Sequence, residues 1–126
     1  MVIHVRNNGG EDDPDAPGTT GWELIHDVAG HETVVDKRTP NGFAGTELGS
    51  LLADAREVVI VGMQSESCVP ETSLAALRRG LAVSLVRGAH ATYGDGKRTA
   101  AEIAAATEDE LAQEGARILD AGDVTF

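Results

Sequence analysis

Aromatic side chains are scarce in this chain of 126 residues: Phe, Trp and Tyr together make up 3% of it. Its core must therefore be assembled from Val, Ile, Leu and Ala. Basic residues are also few, with 10 Lys and Arg against 21 Asp and Glu and a formal net charge of −11. Such a surface repels phosphate backbones and anionic lipid, which argues against nucleic-acid or membrane partners. One cysteine excludes an internal disulfide, and no Cys/His cluster has zinc spacing, so neither metal nor cofactor is expected. No apolar run approaches a membrane span, and the opening Val2-Ile3-His4-Val5 is too short for a signal peptide. The expectation is a cytoplasmic protein of one domain, residues 1–126, with a modest core.

The pattern that is present alternates short strands with helices. Val2 to Val5 reads as a strand running into Asn7-Asn8-Gly9-Gly10, and residues 7–21, rich in Gly, Pro and Asp, read as loop. Within that loop Glu11 to Asp15 lacks calcium-loop spacing and reads as solvated. Val34-Val35 marks a second strand. Leu48, Leu51, Leu52 and Ala55 recur at helical spacing. Val58 to Val61 is a continuous apolar run, the signature of a strand covered on both faces. The next helix is expected to start near Pro70 and stop at Gly80, followed by a strand over Leu81 to Val86. Thr99-Ala100-Ala101-Glu102 is a capping box opening an Ala-rich helix to about Gly115. Ile118-Leu119 and Val124 to Phe126 leave room for a last strand. This alternation predicts an α/β three-layer sandwich with a mostly parallel sheet of about five strands. Ligand sites in such sheets lie beyond the carboxyl ends of the strands, here the loops 7–21, 37–46 and 62–69.

The third of these loops holds the single cysteine, Cys68, between a strand and the start of a helix. A thiol attacks as thiolate, and a helix N-terminus favours negative charge through its unpaired N–H groups and dipole. A nearby cation does the same, and Lys37 is a candidate. The backbone N–H groups of residues 64–68 would suit an oxyanion hole. The alternative is that Cys68 is a small core residue, since unpaired cysteine is among the most buried types. Gly94-Asp95-Gly96-Lys97-Arg98-Thr99 lacks the order of a phosphate loop, with Arg98 where Ser or Thr is required.

Three segments in order carry a resemblance. Val34-Val35-Asp36-Lys37 is followed by Gly42-Phe43 and Thr46-Glu47-Leu48; Val58 to Gly62 is followed by Cys68-Val69 and Thr72; Leu85-Val86-Arg87-Gly88-Ala89-His90-Ala91-Thr92-Tyr93 comes last. Over Gly21 to about Leu119 the chain resembles the isochorismatase-like cysteine hydrolases. The resemblance implies Cys68 as nucleophile and Lys37 as a neighbouring catalytic cation. It implies a cis peptide at Met63–Gln64, with the backbone N–H groups of Gln64 and Cys68 as the oxyanion hole. Trp22, Phe43, His90 and Tyr93 are candidates to line a small-molecule pocket.

The resemblance also marks departures. The Asp-x-Gln-like segment that supplies that family's third catalytic residue is not found here, and Val2 to Arg6 resembles the family's second strand, so the first strand and helix are missing. Loop 7–21 holds no His, so the metal of the nicotinamidase type is not expected. Asp12, Asp13 and Asp15 are loop acids of unassigned role. The gap in the sheet has three resolutions: a start that lies further upstream, direct pairing of the second strand with the nucleophile strand, or a partner subunit, so that a homo-oligomer is expected. The expected function is hydrolysis of an amide or related small-molecule carbonyl through a thioester on Cys68. The alternative is a catalytically impaired domain that keeps the pocket.

Overall fold

Two runs rich in β-branched residues, Ile3–Asn7 (β1) and Thr33–Lys37 (β2), pair as parallel strands in the computed structural model, which describes residues 1–125. Their register sets Ile3 opposite Thr33 and Asn7 opposite Lys37. Arg6 and Asp36 face each other in that register, and the guanidinium donates to the carboxylate at 2.8 and 3.2 Å. A parallel pair needs a long crossover, commonly a helix. Here residues 8–32 cross over in turns alone, with no helix or strand. Local hydrogen bonds hold them: Gly9 N–H to the Asp15 carbonyl, Gly10 N–H to the Asp13 carboxylate, and the Thr19 hydroxyl to the carbonyls of Pro14 and Ala16. A single helical turn follows, Leu48–Leu51 (α1), with Leu48 buried. The spacing predicted helix as far as Ala55. With Glu47 giving no side-chain cap, the segment stops after four residues, as short uncapped helices do.

These elements belong to a compact unit spanning Met1–Ala53, and a second unit begins at Asp54. The second unit contains Glu57–Met63 (β3), Cys68–Arg78 (α2), Ala82–Ala91 (β4), Ala100–Gln113 (α3), Arg117–Leu119 (β5) and a short 3-10 turn at Ala121–Asp123. Its three strands form a parallel sheet in the order β3-β4-β5. The α/β class with parallel strands is thus present. The five strands, however, fall into two sheets, two in the first unit and three in the second. Among the described residues β1 belongs to the two-stranded sheet and β3 to the three-stranded one. The last strand is the Ile118-Leu119 segment; of the other stretch considered, Val124 and Thr125 carry no strand and Phe126 lies outside the described residues.

The core of the second unit follows from its periodicities. In α3, Ile103, Thr107 and Leu111 recur every four residues and are buried as one stripe. The predicted capping box opens this helix, Thr99 Oγ1 accepting from Glu102 N–H at 3.2 Å and the Glu102 carboxylate accepting from Thr99 N–H at 2.7 Å. α2 buries Val69, Ala75 and Ala76, and both helices pack on β4. β4 is the middle strand, and Val83, Ser84, Leu85 and Val86 are all buried, so both of its faces are covered. β3 corrects an expectation. Val58 and Ile60 are half-buried, but Val59, Val61 and Met63 on the alternate face are exposed, Val61 at 57%. β3 is an edge strand of its sheet, and an apolar run does not reveal whether a strand is central or at an edge.

Candidate functional site

In the first unit the chemistry gathers at the carboxyl ends of β1 and β2. Lys37, the last residue of β2, is only 5% exposed. Its ammonium donates to Asn7 Oδ1 at 2.9 Å and to the Thr39 carbonyl at 3.1 Å. An ammonium drawn inward in this way lies in a setting poorer in water than the surface, where a charge acts more strongly on a nearby anion. Asn7 stands opposite Lys37 in the register and passes the contact on, its amide Nδ2–H donating to Asp15 Oδ2 at 2.6 Å. Asp15, read from sequence as one of a solvated run, is therefore anchored. A bridging Asn is invisible to a motif search, though its place as the last residue of a strand paired with Lys37 is the signal that could have found it.

Trp22 is half-buried, its indole N–H donating to Asn8 Oδ1 at 2.6 Å. The Arg6 guanidinium lies over its ring, 3.4 Å from the centroid. One face and the polar edge of the indole are thus committed within this unit, in a cation–π contact of about 0.5–2 kcal/mol. Phe43 is buried, with its backbone N–H on Asn41 Oδ1 at 2.9 Å.

In the second unit Cys68 is the first residue of α2, two positions earlier than the predicted start at Pro70, and is half-buried. The peptide bond between Met63 and Gln64 is cis. The turn that follows folds around the Gln64 carbonyl, which accepts from the N–H groups of Ser67 (3.1 Å) and Val69 (3.2 Å). Ser65 N–H donates to the Ala91 carbonyl at 3.0 Å. Ser65 and Ser67 therefore drop out of the group of N–H donors, residues 64–68, considered for an oxyanion. The Ser67 hydroxyl lies 4.0 Å from Cys68 Sγ.

His90, a candidate for the pocket, lies inside the second unit. Its ring is buried and both nitrogens are engaged, Nδ1 with Ser65 Oγ at 2.8 Å and Nε2 with Glu108 Oε1 at 3.2 Å. No ring nitrogen remains to bind a substrate. A bulge places it there. The pairing of β3 with β4 runs Ile60 to Leu85 and then Gly62 to His90, so β4 carries extra residues over 86–89. Gly88, at φ +75°, takes the left-handed conformation this excursion requires. Glu108 accepts from Arg87 Nε at 3.1 Å, and Arg87 also donates to Asp120 at 3.0 Å. Hydrogen bonds first to Glu108 and then to Asp120 raise the Arg87 pKa above its ordinary value. Tyr93, expected in a pocket, is 71% exposed. Ser65, Thr107 and Glu108 were not found from sequence; the glycine within a strand pattern was the available hint of a bulge.

Comparison with known proteins bears on both units. Residues 1–123 match the family model of the isochorismatase domain. A streptothricin hydrolase of Streptomyces noursei is 46% identical over 97 residues, which are 74% of this chain and 38% of that protein. An uncharacterised isochorismatase family protein of Bacillus subtilis is 35% identical over 80 residues, 60% of this chain and 44% of that protein. The crystal structure of an isochorismatase from Pseudomonas putida superposes with a TM-score of 0.80 at 27% identity, covering 98% of this chain and 68% of that one. The chain spans less than half the length of the curated relatives it matches.

Proposed function

The chain belongs to the isochorismatase family, and we propose that it is a hydrolase that cleaves an amide or related carbonyl of a small molecule through a thioester on Cys68. The observation that carries this reading is the setting of Cys68: the first residue of an 11-residue helix, directly after a tight turn folded around the Gln64 carbonyl. In the proposed reaction Cys68 Sγ bonds to the carbonyl carbon, and the oxygen gains charge that the backbone N–H groups of Gln64 and Cys68 hold. The C–N bond then breaks and the nitrogen leaves carrying the proton that the Cys68 thiol gave up. Water adds to the thioester, releasing the acid and restoring the thiol. Lys37 is the cation that the family resemblance implies for this reaction.

The similarity to a streptothricin hydrolase suggests the first substrate to try. Purified protein is incubated with streptothricin and with a panel of simple amides, with released amine and the intact protein mass as readouts. Turnover is expected, with a transient acyl adduct on Cys68 and a loss on the order of a thousandfold or more in Cys68→Ala. Turnover by Cys68→Ala at the wild-type rate would rule the thioester out. Saturable binding of a panel compound without release of product would favour the non-catalytic alternative.

A further inference from the structure

We propose that Ser65, His90, Thr107 and Glu108 form a buried clamp that fixes the turn between β3 and α2, which makes His90 and Thr107 positioning residues for the reaction; that role rests on the Cys68 reading above. Ser65 is 0% exposed and is held at three points. Its N–H donates to the Ala91 carbonyl at 3.0 Å, its carbonyl accepts from Thr107 Oγ1 at 2.7 Å, and its hydroxyl meets His90 Nδ1 at 2.8 Å. The three partners come from two elements distant in sequence, β4 and α3. No backbone ladder would supply this combination.

The chain of contacts also has a defined polarity. An ionised Glu108 only accepts, so the proton it receives sits on His90 Nε2, and in the neutral ring Nδ1 accepts from the Ser65 hydroxyl. Arg87 takes the second Glu108 oxygen and ties it to Asp120 near the surface. Every member is thereby satisfied, the condition under which a buried polar network orders a structure. Ser65 lies between Gln64 and Cys68, the two residues whose N–H groups are proposed to hold the oxyanion. Donors aimed before the reaction begins stabilise a transition state, and small misplacements of such groups are costly. A need to satisfy buried polar atoms would account for the contacts, but not for their convergence on one residue inside this turn.

The test uses the full chain and four variants: Thr107→Val, which keeps shape and removes the hydroxyl; Thr107→Ser, which keeps the hydroxyl; His90→Asn and His90→Ala. Hydrogen exchange followed by mass spectrometry reads a peptide covering 63–69 against a control peptide in the second half of α2. Exchange of 63–69 is expected to quicken about tenfold in Thr107→Val and His90→Ala, with the control peptide unchanged and Thr107→Ser near wild type. His90→Asn, whose amide reaches the place of Nδ1, falls between. Unchanged exchange in 63–69, or equal acceleration of both peptides, overturns the clamp whatever Cys68 does. On a substrate turned over in the assay above, kcat in Thr107→Val should fall roughly ten- to a hundredfold with KM nearly constant. Alkylation of Cys68 by iodoacetamide should not change, because that displacement develops no oxyanion. Unaltered kcat in Thr107→Val, with Cys68→Ala inactive, refutes the positioning role and leaves the nucleophile standing. If Cys68→Ala stays active, the nucleophile reading fails and the exchange result alone decides the clamp.

Discussion

Replacing Asn7 by Leu tests how the first unit holds a charge inside itself. The side chain accepts from the Lys37 ammonium at 2.9 Å and donates to the Asp15 carboxylate at 2.6 Å. Leu keeps the branched skeleton, with somewhat more bulk, and offers neither function. Hydrogen bonds to a charged partner contribute about 1.5–3 kcal/mol each, and Asn7 makes two. Asn7 and Asp15 are only half-buried, so water recovers part of the loss, and about 2–4 kcal/mol is the expected destabilisation. At this chain length roughly 4 °C follows each kcal/mol, a fall in Tm of about 10 °C. Trp22, the only tryptophan, lies in the same unit against Arg6 and reports its unfolding by fluorescence. A fall of less than about 3 °C would mean that the ammonium is solvated despite its low exposure, and the reasoning would fail. A polarity swap sharpens the test. Asn7→Asp alone sets a carboxylate against Asp15 and should destabilise; adding Asp15→Asn restores a donor, and the pair should show a coupling of at least about 1 kcal/mol. Additive effects would refute the bridge.

Four further outcomes are expected. Gly88→Ala should cost about 1–2 kcal/mol in chemical denaturation, purely through its backbone, because φ is +75° and an added Cβ meets nothing within 4 Å; a neutral result would show that the bulge relaxes. Leu85→Ala, at the buried centre of β4, should cost about 3 kcal/mol. Val61→Thr on the exposed face of β3 should stay within about 0.5 kcal/mol, and a cost near that of Leu85→Ala would mean that this face is covered in solution. The hydrogen bond from Thr99 N–H holds the Glu102 pKa below its ordinary 4.5, so its contribution to stability is present above that pH and lost as pH falls through the lower folded value. Acid titration of the melting temperature should be flatter in that window for Glu102→Gln than for wild type, and identical profiles would refute the cap's role.

What sequence made legible was local. The capping box at Thr99–Glu102 needs only residues three apart, and it opens α3 where the pattern put it. Gly80 and Gly115 end their helices at φ +82° and +105°, a conformation that few other residues adopt. The family resemblance rested on short ordered segments of this same kind, and residues 1–123 match the family model. The strand at Val58 to Val61 was recognised, but not its place at an edge, which depends on which strands lie beside it. β4 was expected to end at Val86 and runs on to Ala91, because its second half pairs with β3 only after the bulge.

The residues missed share one physical cause. Asn7, Ser65, Thr107 and Glu108 act through partners 8 to 42 positions away, and each is an ordinary polar residue until the fold brings its partner close. His90 was noticed for its chemistry and read from sequence as either a pocket residue or one that supports its neighbours, since an imidazole attracts the first reading wherever it falls. Its burial against Ser65 and Glu108 turns the inference around. A group that can bind a ligand, with every polar atom already bound to protein, has its reach spent on shape. In the second unit polar atoms converge on the backbone beside Cys68, and in the first Asn7 and Thr39 draw the Lys37 ammonium inward, while the ring of Tyr93 stays exposed.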